Sequence, residues 1–435
     1  MRRLSLALIL LFAIAAPVFA STATSVAIIE KRDYALWDAV IPDYICQDLW
    51  NAHLSYDAGH FLMVPMHAAF ALNVESWQAQ FTDLFRRFLA DAPNYNIAEN
   101  ERLDKLHFLY LASCYLNLSR TNAESSSAST ANQDANNASN HMALTLYNLI
   151  MQKVTDLWLY QPAWQWDRKA FGGGIRERIV WKLSQRLVWQ KHYRAFVDEE
   201  LFLFAIAGEL SRYQKEMPHT KNETLIIEDL LQHAYQVFKK TIAVQNNGGW
   251  LFQPGVWSNH PDFIFAGHRE KSPGLQPLRV KAVAEDTSHS HRFPLWLKSL
   301  SKAFPEGSEQ NRYFTEMLAG LERQFFEKVV VFPSADFPSY RTTNYMDGWN
   351  GVYRYHYSTI EKYGGYGPFE LSGTITIGWW IFLGSERSRM MYSVLAKTFP
   401  LPDHVMALYA YPQTRWNKNQ DQFRELIVRL ASRLS

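Results

Sequence analysis

A chain of 435 residues with 44 basic and 42 acidic side chains has a formal charge of +2, which excludes the long-range field of a nucleic-acid or membrane-surface binder. Its 2 cysteines exclude a disulfide scaffold and leave either one bridge between Cys46 and Cys114 or two free thiols. Aromatic residues make up 15% of the chain, a surplus that suits helix packing and also surfaces that stack on sugar rings.

Residues 1–20 begin with Arg2 and Arg3, run through an apolar stretch from Leu4 to Phe19, and end at Ala20 before Ser21. This is the form of a cleavable export signal, so the mature chain is expected to be secreted or periplasmic. No later stretch is long and uncharged enough to cross a membrane, and residues 21–435 read as a single domain with no membrane span after cleavage.

Residues 21–45 read as an irregular lead. From His60 to Phe70 the sequence is apolar nearly all round, which calls for a helix enclosed by other elements, with Pro65 kinking it or setting its first turn. Trp77 to Ala90 is amphipathic, with Phe81, Leu84, Phe85 and Leu89 at helical spacing. Asp104 to Leu118 is again largely apolar. Arg120 to Asn140, rich in Ser, Asn and Ala, reads as a solvated loop. Helical texture resumes over His141 to Leu159 and Ile175 to Leu210, the second introduced by a hinge or tight turn at Gly172-Gly173-Gly174.

The apolar runs start near Asp57, Asp104, Asp198, Asp286 and Glu370. Their spacings are close to one, two, two and two units of about 45 residues, the length of a helical hairpin with its loops. Asp57, Asp104 and Asp286 each precede a histidine by three positions (His60, His107, His289), and an Asp at a helix N-cap explains each pair structurally.

Two stretches interrupt the helical pattern. Residues 245–283 interleave turn residues with Trp257, Asn259 and His260, and residues 333–368 carry Asp347, Trp349, Tyr353 and Tyr355. Between them, Glu285 to Arg292 packs Glu285, Asp286, His289, His291 and Arg292 into eight positions, the densest chemistry in the chain. Glu370 to Leu383 reads as a further enclosed helix, and Gln420 to Leu434 as an amphipathic surface helix.

Enclosed and amphipathic helices alternating at a fixed unit behind an export signal resemble the secreted α/α-toroid carbohydrate-active enzymes, polysaccharide lyases and six-hairpin glycosidases among them. The resemblance implies an all-α fold, an α/α toroid or incomplete barrel of helical hairpins, with two long aromatic-rich loops. It implies a polysaccharide or oligosaccharide partner and no cofactor.

For a lyase acting on a uronate-containing polysaccharide, it implies His289 or His291 as base, Tyr353 or Tyr355 as acid, and Arg292 with Asn259 as carboxylate clamp. His260, Trp257, Asp347, Trp349, Asp57 and His60 join the expected substrate contacts. For a glycosidase, Glu285 or Asp286 would pair with Asp347 or Asp57. A metal site at His289 and His291, completed by Asp57 or His60, is disfavoured on a helix because residues two apart diverge. A non-catalytic glycan-binding protein is the remaining class.

Overall fold

Leu36, Trp37 and Val40 fall at helical spacing and are buried, and they turn the expected irregular lead into helix α1 (Lys31–Val40), followed by the short α2 (Pro42–Ile45). The computed structural model describes residues 29–126, 133–166, 170–186, 191–356, 364–410 and 420–434; the signal read at residues 1–20 lies outside them. Asp33 of α1, fully buried, pairs with Arg429 and Arg433 at 2.5 Å each, tying the start of the described chain to its end.

Helix α3 (Ala52–Ala71) buries Leu62, Met63, Val64, Met66, Ala68 and Ala69. Pro65 lies in its interior rather than its first turn, so enclosure outweighs the roughly 3 kcal/mol that a proline costs there. Helix α4 (Glu75–Ala90) buries Trp77, Phe81, Leu84, Phe85 and Phe88 along one face. Helices α5 (Arg102–Ser126) and α6 (Gln133–Thr155) extend into the stretch expected to be a solvated loop. Their apolar bodies nucleate them, and each further residue then adds a backbone hydrogen bond, so Ser, Asn and Ala carry them on.

The single helical stretch expected from Ile175 to Leu210 divides into α7 (Gly174–Ser184) and α8 (Asp198–Gln214). The Glu200 carboxylate accepts the Val197 N–H at 2.9 Å and starts α8 afresh. Helix α9 (Lys221–Thr241) opens on a Thr220–Glu223 capping box and runs into strand β1 (Ile242–Val244), which pairs antiparallel with β2 (Trp250–Phe252). Then come the one-turn α10 (Thr287–Ser290), α11 (Phe293–Ala303), α12 (Glu309–Gln324) and the antiparallel pair β3 (Val330–Val331) and β4 (Arg341–Thr342). Helices α13 (Glu386–Lys397), α14 (Asp403–Tyr409) and α15 (Gln420–Ala431) close the described chain.

Of the three Asp–His pairs, only Asp286 caps a helix; Asp57 and Asp104 lie within α3 and α5, which begin earlier. Residues Glu370 to Leu383 are not the expected helix. They form two 3₁₀ segments, Ser372–Ile377 and Trp379–Leu383, divided at Gly378 with φ +88°. The β-branched run Thr374 to Ile377 weakens an α-helix there. A Cβ on Gly378 would stand 2.7 Å from Ile427 and 2.9 Å from Val64. Gly378→Ala is therefore expected to destabilise by about 1–3 kcal/mol, read as a lower midpoint in chemical denaturation.

The chain is mostly helical. Helix α3 packs on α5, α5 on α8, α8 on α11 and α11 on Trp379–Leu383, while Ser372–Ile377 packs back on α3. Each also meets the helix that follows it: α4, α6, α9, α12 and α13 in turn. The two long loops interlock above this assembly. Arg354 meets Asp262 at 2.7 Å, the Trp349 indole donates to the Ala266 carbonyl at 2.6 Å, and the Val352 N–H donates to the His268 carbonyl at 2.9 Å. Phe263, Ala266, Val283, Tyr345, Tyr353, Tyr366 and Leu371 form a second small core between the loops, so the aromatic content of both stretches is spent partly on holding them together. Cys46 is exposed and Cys114 buried, and both are free thiols. Among the described residues no helix is long and apolar enough to cross a membrane.

Candidate active site

Asp286 organises the site. As the cap of α10 its carboxylate accepts the Ser288 and His289 N–H groups at 3.0 and 3.2 Å. The same carboxylate meets the His289 ring at Nδ1, 2.8 Å away, because three positions of helix bring that ring back over the cap. Burial alone would raise the Asp286 carboxyl, but the His289 ring, with Arg354 and the Ser288 hydroxyl, holds it below the usual carboxylate range. A histidine whose Nδ1–H donates to a carboxylate keeps its Nε2 lone pair for a proton.

His289 lines a cavity of about 290 Å³. Its aromatic wall is Trp164, Trp166, Phe196, Trp257, Phe263 and Tyr353. Its ionisable groups are Arg178 from α7, Asp198 and Glu199 from the start of α8, and Glu285, Asp286 and His289 from the start of α10. Asp262, His260 and Arg354 come from the two interlocked loops, and Leu103 from α5. The two long loops, the turn carrying Trp164 and Trp166, helix α7 and the starts of α5, α8 and α10 thus converge on one hollow.

Glu285 is the most perturbed carboxyl in that wall. Burial, reinforced by the nearby Asp198 and Asp286 carboxylates, pushes it up to about 8, against hydrogen bonds from Gln253 and Trp257. Both donors, at 2.8 and 3.2 Å, go to the same oxygen, Oε1. At neutral pH Glu285 is a carboxylic acid whose other oxygen is left to carry the proton.

The expected substrate contact Arg292 is behind the wall instead. It is 1% exposed, pairs with Asp198, donates to the Tyr56 hydroxyl at 2.9 Å and meets His60 Nε2 at 3.1 Å. His60 and His291 are buried beside it, 5.3 Å apart between ring centres. They do not line the cavity with His289. Two positions along the chain turn a helical side chain by about 200°, which sends His289 to the hollow and His291 to the core. The metal reading fails with them, and among the described residues no three His, Cys, Asp or Glu side chains are placed to hold an ion.

Four other expected contacts stay with the loops and off the cavity wall. Asp347 accepts the Trp349 N–H at 2.8 Å in a turn, and Trp349 itself is fixed to Ala266 under the Arg269 guanidinium. The Tyr355 hydroxyl donates to the Ser272 carbonyl at 2.8 Å, and Asn259 is exposed on the turn beside Trp257. Asp57 is buried in α3. The cavity therefore gathers Glu285, Asp286, His289, Tyr353, Trp257 and His260 from the sequence expectation and leaves out the rest. Sequence reasoning missed Trp164, Trp166, Asp198, Asp262 and Arg354. The signals available were the Trp-x-Trp spacing and the acidic start of α8 at Asp198-Glu199-Glu200.

Comparison with known proteins finds no matching family, no matching curated protein and no matching solved structure.

Proposed function

We propose that this protein is an exported carbohydrate-active enzyme, built as an α/α toroid, that hydrolyses a glycosidic bond in the cavity around Glu285. The observation that carries the reading is the Glu285 carboxyl, pushed up to about 8 and so protonated at neutral pH on a wall of tryptophans. A glycoside hydrolase needs one carboxylic acid to protonate the leaving oxygen and one carboxylate to act on the other face of the sugar. Asp198, close enough to raise Glu285 and on the same cavity wall, supplies the second; it replaces Asp347 and Asp57 in that role. The indoles of Trp164, Trp166 and Trp257 supply flat apolar faces for sugar rings. The succession of packed helices from α3 through α5, α8 and α11, returning to α3 by way of the 3₁₀ segments Trp379–Leu383 and Ser372–Ile377, supports the toroid.

The His289–Asp286 pair favours a second reading, elimination from a uronate. His289 Nε2 would take the proton beside the carboxylate, and Tyr353 in the same wall would assist the leaving oxygen. A screen of neutral and uronate-containing polysaccharides separates the two. Hydrolysis is expected to give new reducing ends without ultraviolet-absorbing products. Unsaturated products would establish elimination instead, and no new ends on any glycan would reject both.

A further inference from the structure

We infer that the cavity takes an uncharged sugar ring and discriminates against uronates. The inference rests on the glycan-cleaving reading and concerns which class of glycan that site accepts.

The positive charge around the cavity is already committed. The Arg178 guanidinium is engaged through all three nitrogens, on Glu200 at 2.8 Å, Glu199 at 3.1 Å and the Trp164 carbonyl at 2.7 Å. Lys182 behind it meets both oxygens of Glu200, at 2.8 and 2.9 Å. Arg354 is held by Asp262 at 2.7 Å, and Arg292 by Asp198, Tyr56 and His60. Each of these four cations is thus matched by a carboxylate, and Asp286 adds a further negative charge, offset by the His289 ring and Arg354. A sugar carboxylate entering here would have to displace a carboxylate from its guanidinium, in a setting of low dielectric where like charges repel strongly.

Hydroxyl groups meet the opposite situation. Asp198, Glu199 and Asp262 keep 16%, 22% and 23% of their side chains accessible, so they can accept from a neutral ring. The wall provides the apolar faces: Trp166 stands at 72° to Trp164 and at 90° to Trp257, with ring centres 5.6 and 5.9 Å away. Trp164 remains 46% exposed, a platform at the rim.

The test uses matched oligosaccharides that differ only in oxidation at C6: gluco and glucurono, manno and mannurono, galacto and galacturono. Binding to the full chain carrying Glu285→Gln, which turns them over far more slowly, is followed by calorimetry. One neutral member is expected to bind saturably, with its uronate at least about tenfold weaker. Trp164→Ala should weaken the neutral ligand several-fold, and Glu199→Gln, which releases part of Arg178, should narrow the ratio between the pair. The same ratio read as initial turnover by the unmutated chain guards against a fault in the Glu285→Gln variant. A uronate that binds as tightly as its neutral partner, or no binding by either class, overturns the inference. Wild-type cleavage of oligouronates would sink it while leaving a glycan-cleaving enzyme; a neutral ligand bound but never cleaved would sustain it and remove the enzyme.

Discussion

Glu285→Gln is expected to lower turnover by about 10²–10⁴-fold, the usual contribution of a positioned general acid, while leaving substrate affinity and folding close to those of the parent. Gln is isosteric with the protonated carboxyl and can still accept from Gln253 and Trp257 through its Oε1, so the cavity wall keeps its hydrogen bonds. What it loses is the transferable proton. The pH profile carries the same signature: with the carboxyl pushed up to about 8, activity of the parent should fall as pH rises through that value. A variant that retains turnover within about threefold of the parent would remove Glu285 from the chemistry.

Acid should unfold this protein early. His60, His67, His107 and His291 are all held well below the ordinary imidazole value, by burial first. Arg292 adds to the effect for three of them, and Lys298 with Lys302 for His67. The folded state therefore refuses a proton that the unfolded chain accepts near pH 6.5. Stability from these four groups is fully present above that pH and is lost as pH falls below it, by about 1.4 kcal/mol per pH unit for each.

Glu285, raised to about 8, works the other way over the same window, because the folded state holds a proton that the unfolded chain has released, and the raised Asp347 acts in the same direction. Setting Glu285 against the four imidazoles leaves roughly 4 kcal/mol per pH unit, large against a total stability of about 5–15 kcal/mol. The melting temperature should drop steeply between pH 6.5 and pH 5. His107→Phe, whose ring can keep the contacts with Phe202 and Tyr56, should reduce the slope by about 1.4 kcal/mol per pH unit. A melting temperature that stays flat over that interval would contradict the burial of these rings.

The sequence marks Glu285 to Arg292 as the densest chemistry because local composition can be read directly, but it does not divide that stretch between two sides of a wall. The division comes from the helical turn: Glu285, Asp286 and His289 share the cavity side, while His291 and Arg292 rotate into the core, where Arg292 backs Asp198. The roughly 45-residue spacing is legible because helices without a polar face must pack against one another, and α3, α5, α8 and α11 do so.

The 3₁₀ segments at Ser372–Ile377 and Trp379–Leu383 escape that reading, since a short apolar run has no periodicity that tells one helix type from another. Trp164, Asp262 and Arg354 escape it for a different reason. Each sits on a loop whose place is set by partners elsewhere in the chain, as Arg354 is by Asp262, and one-dimensional pattern, the Trp-x-Trp spacing included, does not say which partner closes it.

The central claim, a neutral Glu285 carboxyl at the cavity wall, can be tested before any substrate is known, by infrared difference spectroscopy of the parent and Glu285→Gln across a pH titration. The parent should show a protonated-carboxyl carbonyl band at pH 6 that bleaches with a midpoint near the value of about 8 and is missing from the variant. A Glu285 carboxyl already ionised at pH 6 would contradict the account.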